Sequence, residues 1–149
     1  MNKGASVDSR LAEGREFIHG SRSIVVFTGA GISTESGISD FHPGGVWDRY
    51  RIVTYPEFLS SRKSRQEYWR MKSELYVELV RARPNPAHLA RLEKSGRLMT
   101  LITQNIDGLH QEAGNSEDRI IELHGTNRKA LCTGCSRIWP IAEIQDRLE

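Results

Sequence analysis

Ile24-Val25-Val26-Phe27-Thr28-Gly29-Ala30-Gly31-Ile32-Ser33-Thr34-Glu35-Ser36-Gly37 is the stretch that decides how this 149-residue chain is read. Ile24 to Thr28 is β-branched and aromatic without alternation, the pattern of a strand buried on both faces of a parallel sheet. Glycines follow at once. Gly29 and Gly31 let the backbone come close to a diphosphate, and the N–H groups of a following helix, with Ser33 or Thr34 as cap, would supply an anion site. The dinucleotide fingerprint asks for a third glycine where this chain has Thr34, and Gly37 comes three residues late. The loop by itself leaves two readings open: a phosphate site, or a tight strand-to-helix turn.

Outward from that loop, strands alternate with helices. Upstream, Leu11, Phe17 and Ile18 share one side of a helical wheel over residues 8–19, and Gly20 is the stop signal. Downstream, residues 41–55 hold Pro43, Gly44 and Gly45 among aromatics and read as an ordered loop. Tyr68, Met71, Leu75 and Leu79 fall three and four apart, which predicts an amphipathic helix over residues 64–82 that Pro84 ends. Asn85 and Pro86 form an N-cap and first-turn pair for a short helix carrying Leu89 and Leu92 and stopping at Gly96. Residues 98–103 and 119–123 are two further buried-strand candidates. Gln104, Asn105 and Asp107 follow the first of them, and His124 and Gly125 the second. In open α/β sheets ligands bind outside the carboxyl ends of the strands, so these loops and the glycine loop should converge on one site.

Composition narrows the function classes. With 38% hydrophobic and 27% charged residues the chain is of ordinary globular type. Its 21 basic and 19 acidic side chains are interspersed, which argues against a nucleic-acid partner. The longest apolar run is Ile24 to Phe27, far short of the roughly 20 residues of a membrane span, so no membrane association and a cytoplasmic location are expected. Cys132 and Cys135, the two cysteines, are spaced for metal or thiol chemistry in a reducing compartment.

Five ordered motifs carry a resemblance. Gly29 to Ser33 with Glu35-Ser36-Gly37-Ile38 and Asp40-Phe41 is similar to the opening signature of the sirtuins, NAD-dependent protein lysine deacylases. Pro43-Gly44-Gly45-Val46-Trp47, Thr103-Gln104-Asn105-Ile106-Asp107-Gly108-Leu109-His110, Glu122-Leu123-His124-Gly125 and Cys132-Thr133-Gly134-Cys135 resemble four later segments of that family in the same order. The resemblance implies an α/β fold with a Rossmann-like parallel sheet and the start of a small zinc-ribbon domain. It implies an NAD-binding part over about residues 20–125 with a cofactor loop and a helical insertion, and half of a zinc-binding module over about residues 126–149. The family's second cysteine pair, later strands and adenine-side residues have no counterpart in these 149 residues. The sheet is therefore expected to be incomplete on its C-terminal side. A Rossmann sheet has its first strand at the centre, so three strands alone would leave residues 24–28 as an exposed, aggregation-prone apolar edge.

The implied reaction removes an acyl group, acetyl foremost, from protein lysine, and releases nicotinamide and O-acyl-ADP-ribose. The acyl-lysine carbonyl oxygen attacks the ribose carbon that bears nicotinamide, and a base then activates a ribose hydroxyl. By resemblance that base is His124, and neutral imidazole suits the task. Asn105 and Asp107 would orient the nicotinamide amide and a water, although Asp107 could equally cap the next helix. Gly29, Ala30, Gly31, Ile32, Ser33, Gln104 and Ile106 would contact NAD, with Asp40 and Phe41 over the nicotinamide. Cys132 and Cys135 would give a structural Zn2+ two of its four ligands. Three departures qualify the match. His42 replaces the family's usual arginine in a cofactor loop one residue shorter. Tyr68-x-x-Met71 lacks the arginine by which some relatives take acidic acyl groups, and the shifted Trp69-x-x-Lys72 offers only a point charge, which favours acetyl. The missing C-terminal segments leave a second reading, a catalytically inactive remnant that binds NAD. ADP-ribosyl transfer and thiol oxidoreduction are weaker alternatives.

Overall fold

The computed structural model describes residues 7–38 and 50–148, so Asp40, Phe41, His42 and the Pro43 to Trp47 motif lie outside the described residues. Three parallel strands form the main sheet in the order β1-β2-β3: β1 (Ile24–Thr28), β2 (Leu98–Thr103) and β3 (Ile120–Glu122). Parallel neighbours need a crossover, and both are present. The first runs from residue 29 to residue 97 and holds α2 (Tyr55–Ser60), α3 (Arg62–Arg81) and α4 (Ala90–Lys94). The second carries α5 (Leu109–Glu112). A separate antiparallel hairpin, β4 (Lys129–Leu131) and β5 (Ile138–Pro140), follows and leads into α6 (Ile141–Gln145). The observed class is therefore α/β, with a three-stranded parallel sheet and a small antiparallel pair.

Capping chemistry fixes the helices of the first crossover. Thr54 and Glu57 close a capping box at the start of α2, with Pro56 in its first turn. Ser61 accepts the Ser64 N–H at the start of α3, and Met71 and Leu79 are buried on its inner face. Asn85 caps Ala87 N as its sequence context predicts, but the helix expected through Leu89 is broken. A 3-10 turn over Pro86–His88 gives way to α4 at Leu89, whose φ of 67° is left-handed and interrupts the helical path.

The core is centred on β2, the middle strand, where Leu98 and Leu101 are fully buried, and Leu109 of α5 is fully buried as well. The expectation that β1 is buried on both faces is corrected. It lies at an edge of the sheet, with Val25 56% and Phe27 60% exposed. The register places Phe27, Ile102 and Ile121 in one row, so a single apolar sheet face is open. α1 (Val7–Gly20) forms where predicted but buries none of its residues.

Candidate active site

The carboxyl ends of β1 and β2 meet directly. Gln104 N donates to Thr28 O at 3.0 Å, and Leu123 N donates to Thr103 O at 2.9 Å, so the segments after all three strands emerge side by side. A Cβ at Gly29 would stand 3.6 Å from Gln104 Nε2, which sets the glycine loop against that side chain.

The loop itself departs from expectation. Two 3-10 turns, Ala30–Ile32 and Thr34–Ser36, replace the predicted α-helix, and Ser33 makes no side-chain cap. Its hydroxyl is used across the site instead. Ser33 Oγ donates to Asp107 Oδ2 at 2.7 Å and accepts from Asn105 Nδ2 at 3.1 Å. Ser33 is wholly buried and Asp107 nearly so, so this bridge is shielded from competing water. The other oxygen of Asp107 accepts the Leu109 N–H at 2.9 Å, so the carboxylate caps α5 as well as tying down the glycine loop. The sequence-derived residues Ile32, Ser33, Gln104, Asn105 and Asp107 are thereby brought together.

Below them runs a buried polar layer. Thr28 Oγ1 donates to Thr103 Oγ1 at 2.9 Å, and Thr103 Oγ1 accepts the Asn105 N–H at 3.0 Å. His110 Nε2 lies 3.0 Å from Thr28 Oγ1, and its Nδ1 lies 3.3 Å from the His88 carbonyl. Burial pushes the His110 imidazole below its ordinary pKa. Sequence reasoning did not single out His88, nor Arg128, whose Nε donates to Asp107 O at 2.6 Å. A histidine spaced three residues from an N-cap asparagine was the available signal for the former. Arg128 had none.

His124 stands exposed just beyond β3 and lines a cavity of about 390 Å³ that it shares with Ile106. Tyr55, Phe58, Tyr68 and Trp69 give that cavity an aromatic wall, in which Phe58 and Tyr68 meet edge to face at 5.1 Å. Lys72 enters it part-buried and donates to Asn127 Oδ1 at 2.5 Å, while Asn127 N donates to Ile106 O at 2.7 Å. Burial lowers the Lys72 pKa. An imidazole at the mouth of an apolar cavity, beside a cluster of amide and carboxylate groups, suits proton transfer to or from a ligand bridging the two.

Cys132 and Cys135 sit unpaired and exposed in the β4–β5 turn. Amide donors of Cys135 and Gly134 hold the Cys132 thiol below its usual pKa although no helix starts there. That favours a thiolate and fits a metal ligand. Among the described residues no group of three or more His, Cys, Asp or Glu side chains is placed to hold a metal.

Comparison with known proteins identifies what the chain is similar to. Residues 29–149 match the model of the Sir2 family. The chain is 52% identical over 147 residues to an NAD-dependent protein deacetylase of Thermodesulfovibrio yellowstonii, covering 97% of this chain and 57% of that protein. It is 44% identical over 140 residues to an NAD-dependent protein deacetylase of Sulfolobus acidocaldarius, covering 90% of this chain and 53% of the other. Among solved structures, one described as "The Structural basis of Sirtuin Substrate Affinity" superposes with a TM-score of 0.80 at 38% identity, over 91% of this chain and 56% of that one. Another, "Sir2 bound to acetylated peptide", gives 0.77 at 34% identity, over 93% and 55%. The chain thus spans little more than half the length of the relatives it matches.

Proposed function

The chain belongs to the Sir2 family, and from that premise we propose that it carries the catalytic half of an NAD-dependent protein lysine deacylase, acting on acetyl-lysine in proteins or peptides. The observation that carries this reading is the Ser33 bridge, which joins the glycine loop to Asn105 and Asp107 beside a cavity that His124 lines. When bound, NAD supplies an electrophilic ribose carbon and nicotinamide as leaving group. The residues of the chain do the rest. Gly29 to Ser33 and Gln104 hold the ribose and phosphates, Asn105 and Asp107 orient the amide, and the aromatic cavity takes the apolar stem of the acyl-lysine. His124, exposed to the cavity, accepts the proton of a ribose hydroxyl, a role worth about 10²–10⁴-fold in rate. Cys132 and Cys135 would hold two positions of a structural Zn2+, which would organise the hairpin and stay outside the chemistry.

Nicotinamide and deacetylated peptide are measured from NAD plus an acetyl-lysine peptide, with NAD affinity followed by calorimetry. His124→Ala should abolish deacetylation while leaving NAD affinity within about twofold, because the residue acts on a proton and not on binding. Equal deacetylation with and without His124 would sink the mechanism. The open apolar row of Phe27 and Ile121 favours a second reading, in which these residues alone bind NAD without turning it over. NAD binding with no turnover by the unaltered chain is the outcome that selects it.

A further inference from the structure

The glycine loop is gripped from a second side, by a residue far from it in sequence. Asn85 Nδ2 donates to Ile32 O at 2.8 Å and to Ser36 Oγ at 2.9 Å. Its Oδ1 accepts the Ala87 N–H at 2.9 Å, and its own N–H donates to His88 Nδ1 at 3.1 Å. All donors and the acceptor of this amide are therefore engaged, and it cannot turn without losing the loop. His88 is 1% exposed and packs edge to face on His110 with ring centroids 5.1 Å apart. From His110 the polar layer continues through Thr28 and Thr103 to Asn105 N, and Asn105 Nδ2 returns to Ser33. The contacts close a circuit around the ends of β1 and β2.

We propose that Asn85 is a positioning residue for NAD: it fixes the glycine loop through Ile32 and Ser36, and His88 and His110 carry that constraint to the Gln104–Asp107 segment. The proposal rests on residues 29–33 being the NAD loop. Asn85 reaches the glycine loop through Ile32 O and Ser36 Oγ and does not line the cavity around His124, so its loss should weaken NAD binding while sparing the acyl peptide.

Asn85→Asp separates this role from helix capping, since it keeps an oxygen for Ala87 N but sets an acceptor against Ile32 O. Calorimetry with NAD and, separately, with an acetyl-lysine peptide is combined with amide hydrogen exchange over residues 29–38, where Ser33, Ser36, Gly37 and Ile38 donate within the loop. NAD Kd and loop exchange should each rise about tenfold while peptide Kd stays put, the lost bond to Ile32 O with a carboxylate set against that carbonyl being enough for that change. Ser36→Ala, which removes one of the two acceptors, should shift both in the same direction by less. Glu93→Gln disturbs the remote Glu93 contacts to Asn115 and Ser116 and should move neither. Unchanged loop exchange in Asn85→Asp, or an equal rise in Glu93→Gln, overturns the clamp. An unaltered chain that fails to bind NAD overturns the functional reading, and the ligand named here with it, whatever the exchange shows.

Discussion

Gly108 opens α5 with a φ of +69°, and a Cβ there would stand 2.8 Å from Arg128 Cγ and 3.0 Å from its Nε. Gly108→Ala meets two separable penalties. A left-handed backbone costs an L-residue about 1–2 kcal/mol. The contact with Cγ cannot be relieved at the tip of the side chain, so Arg128 must leave and surrender its 2.6 Å bond to Asp107 O and its 2.9 Å pairing with Glu112. A hydrogen bond from a charged donor is worth about 1.5–3 kcal/mol, and the part-exposed ion pair under about 1 kcal/mol. Together the substitution should cost about 3–5 kcal/mol in urea unfolding at unchanged m. The double-mutant cycle is the sharper measurement. Arg128→Ala should cost about 1.5–3 kcal/mol on its own and almost nothing once Gly108 is alanine, because the arginine has already been displaced. If the two losses add to within about 0.5 kcal/mol, the side chains do not collide and the reasoning fails.

Ser33→Ala would leave Asp107 Oδ2 and Asn105 Nδ2 facing a methyl group in a buried site, so it should cost about 1–3 kcal/mol in the same unfolding assay. A loss below about 0.5 kcal/mol would show that the hydroxyl is no bridge. Acid should act late at the α2 cap, where the backbone N–H of Thr54, then Arg51, hold Glu57 down to about 2 from an ordinary 4.5. The folded value is the depressed one, so the stabilisation is whole above about 4.5 and vanishes as pH falls through about 2. Glu57→Gln should flatten that part of the acid profile seen by circular dichroism, and an unaltered profile would refute the assignment.

The strands were readable because β-branched runs flanked by glycine or polar residues admit few other structures; β1 and β2 begin and end at their predicted residues. The run of β1 residues by itself suggested burial on both faces, because exposure depends on which strands flank it; its exposed edge followed instead from the expectation of an incomplete, three-stranded sheet. The glycine loop misled for a different reason. Its local signals suit a helix start, but Ser33 is drawn to Asp107, 74 residues away, and Gly37 turns left-handed at φ +86° after a single turn. Asp107 makes the helix cap that its sequence context allowed through one oxygen, and its other oxygen takes the Ser33 hydroxyl, a partner no local pattern announced. Asn85 was legible as a cap because Ala87 is its near neighbour. Its second role lies with Ile32 and Ser36, 53 and 49 residues back, and leaves no local trace.

The closed circuit also sets an order of events in time. Ser33 leaves the ribosome 72 residues before Asn105, and Thr28 precedes His110 by 82, so every link between the two loops waits on distant chain. α2 and α3 need only near neighbours and can form first. The apolar strand β1 must then persist unpaired until β2 is synthesised, and long-range parallel pairing is slow because loop closure precedes any gain in contacts. The nascent chain is thus most vulnerable to aggregation during the interval in which its glycine loop already exists but has nothing to fasten to.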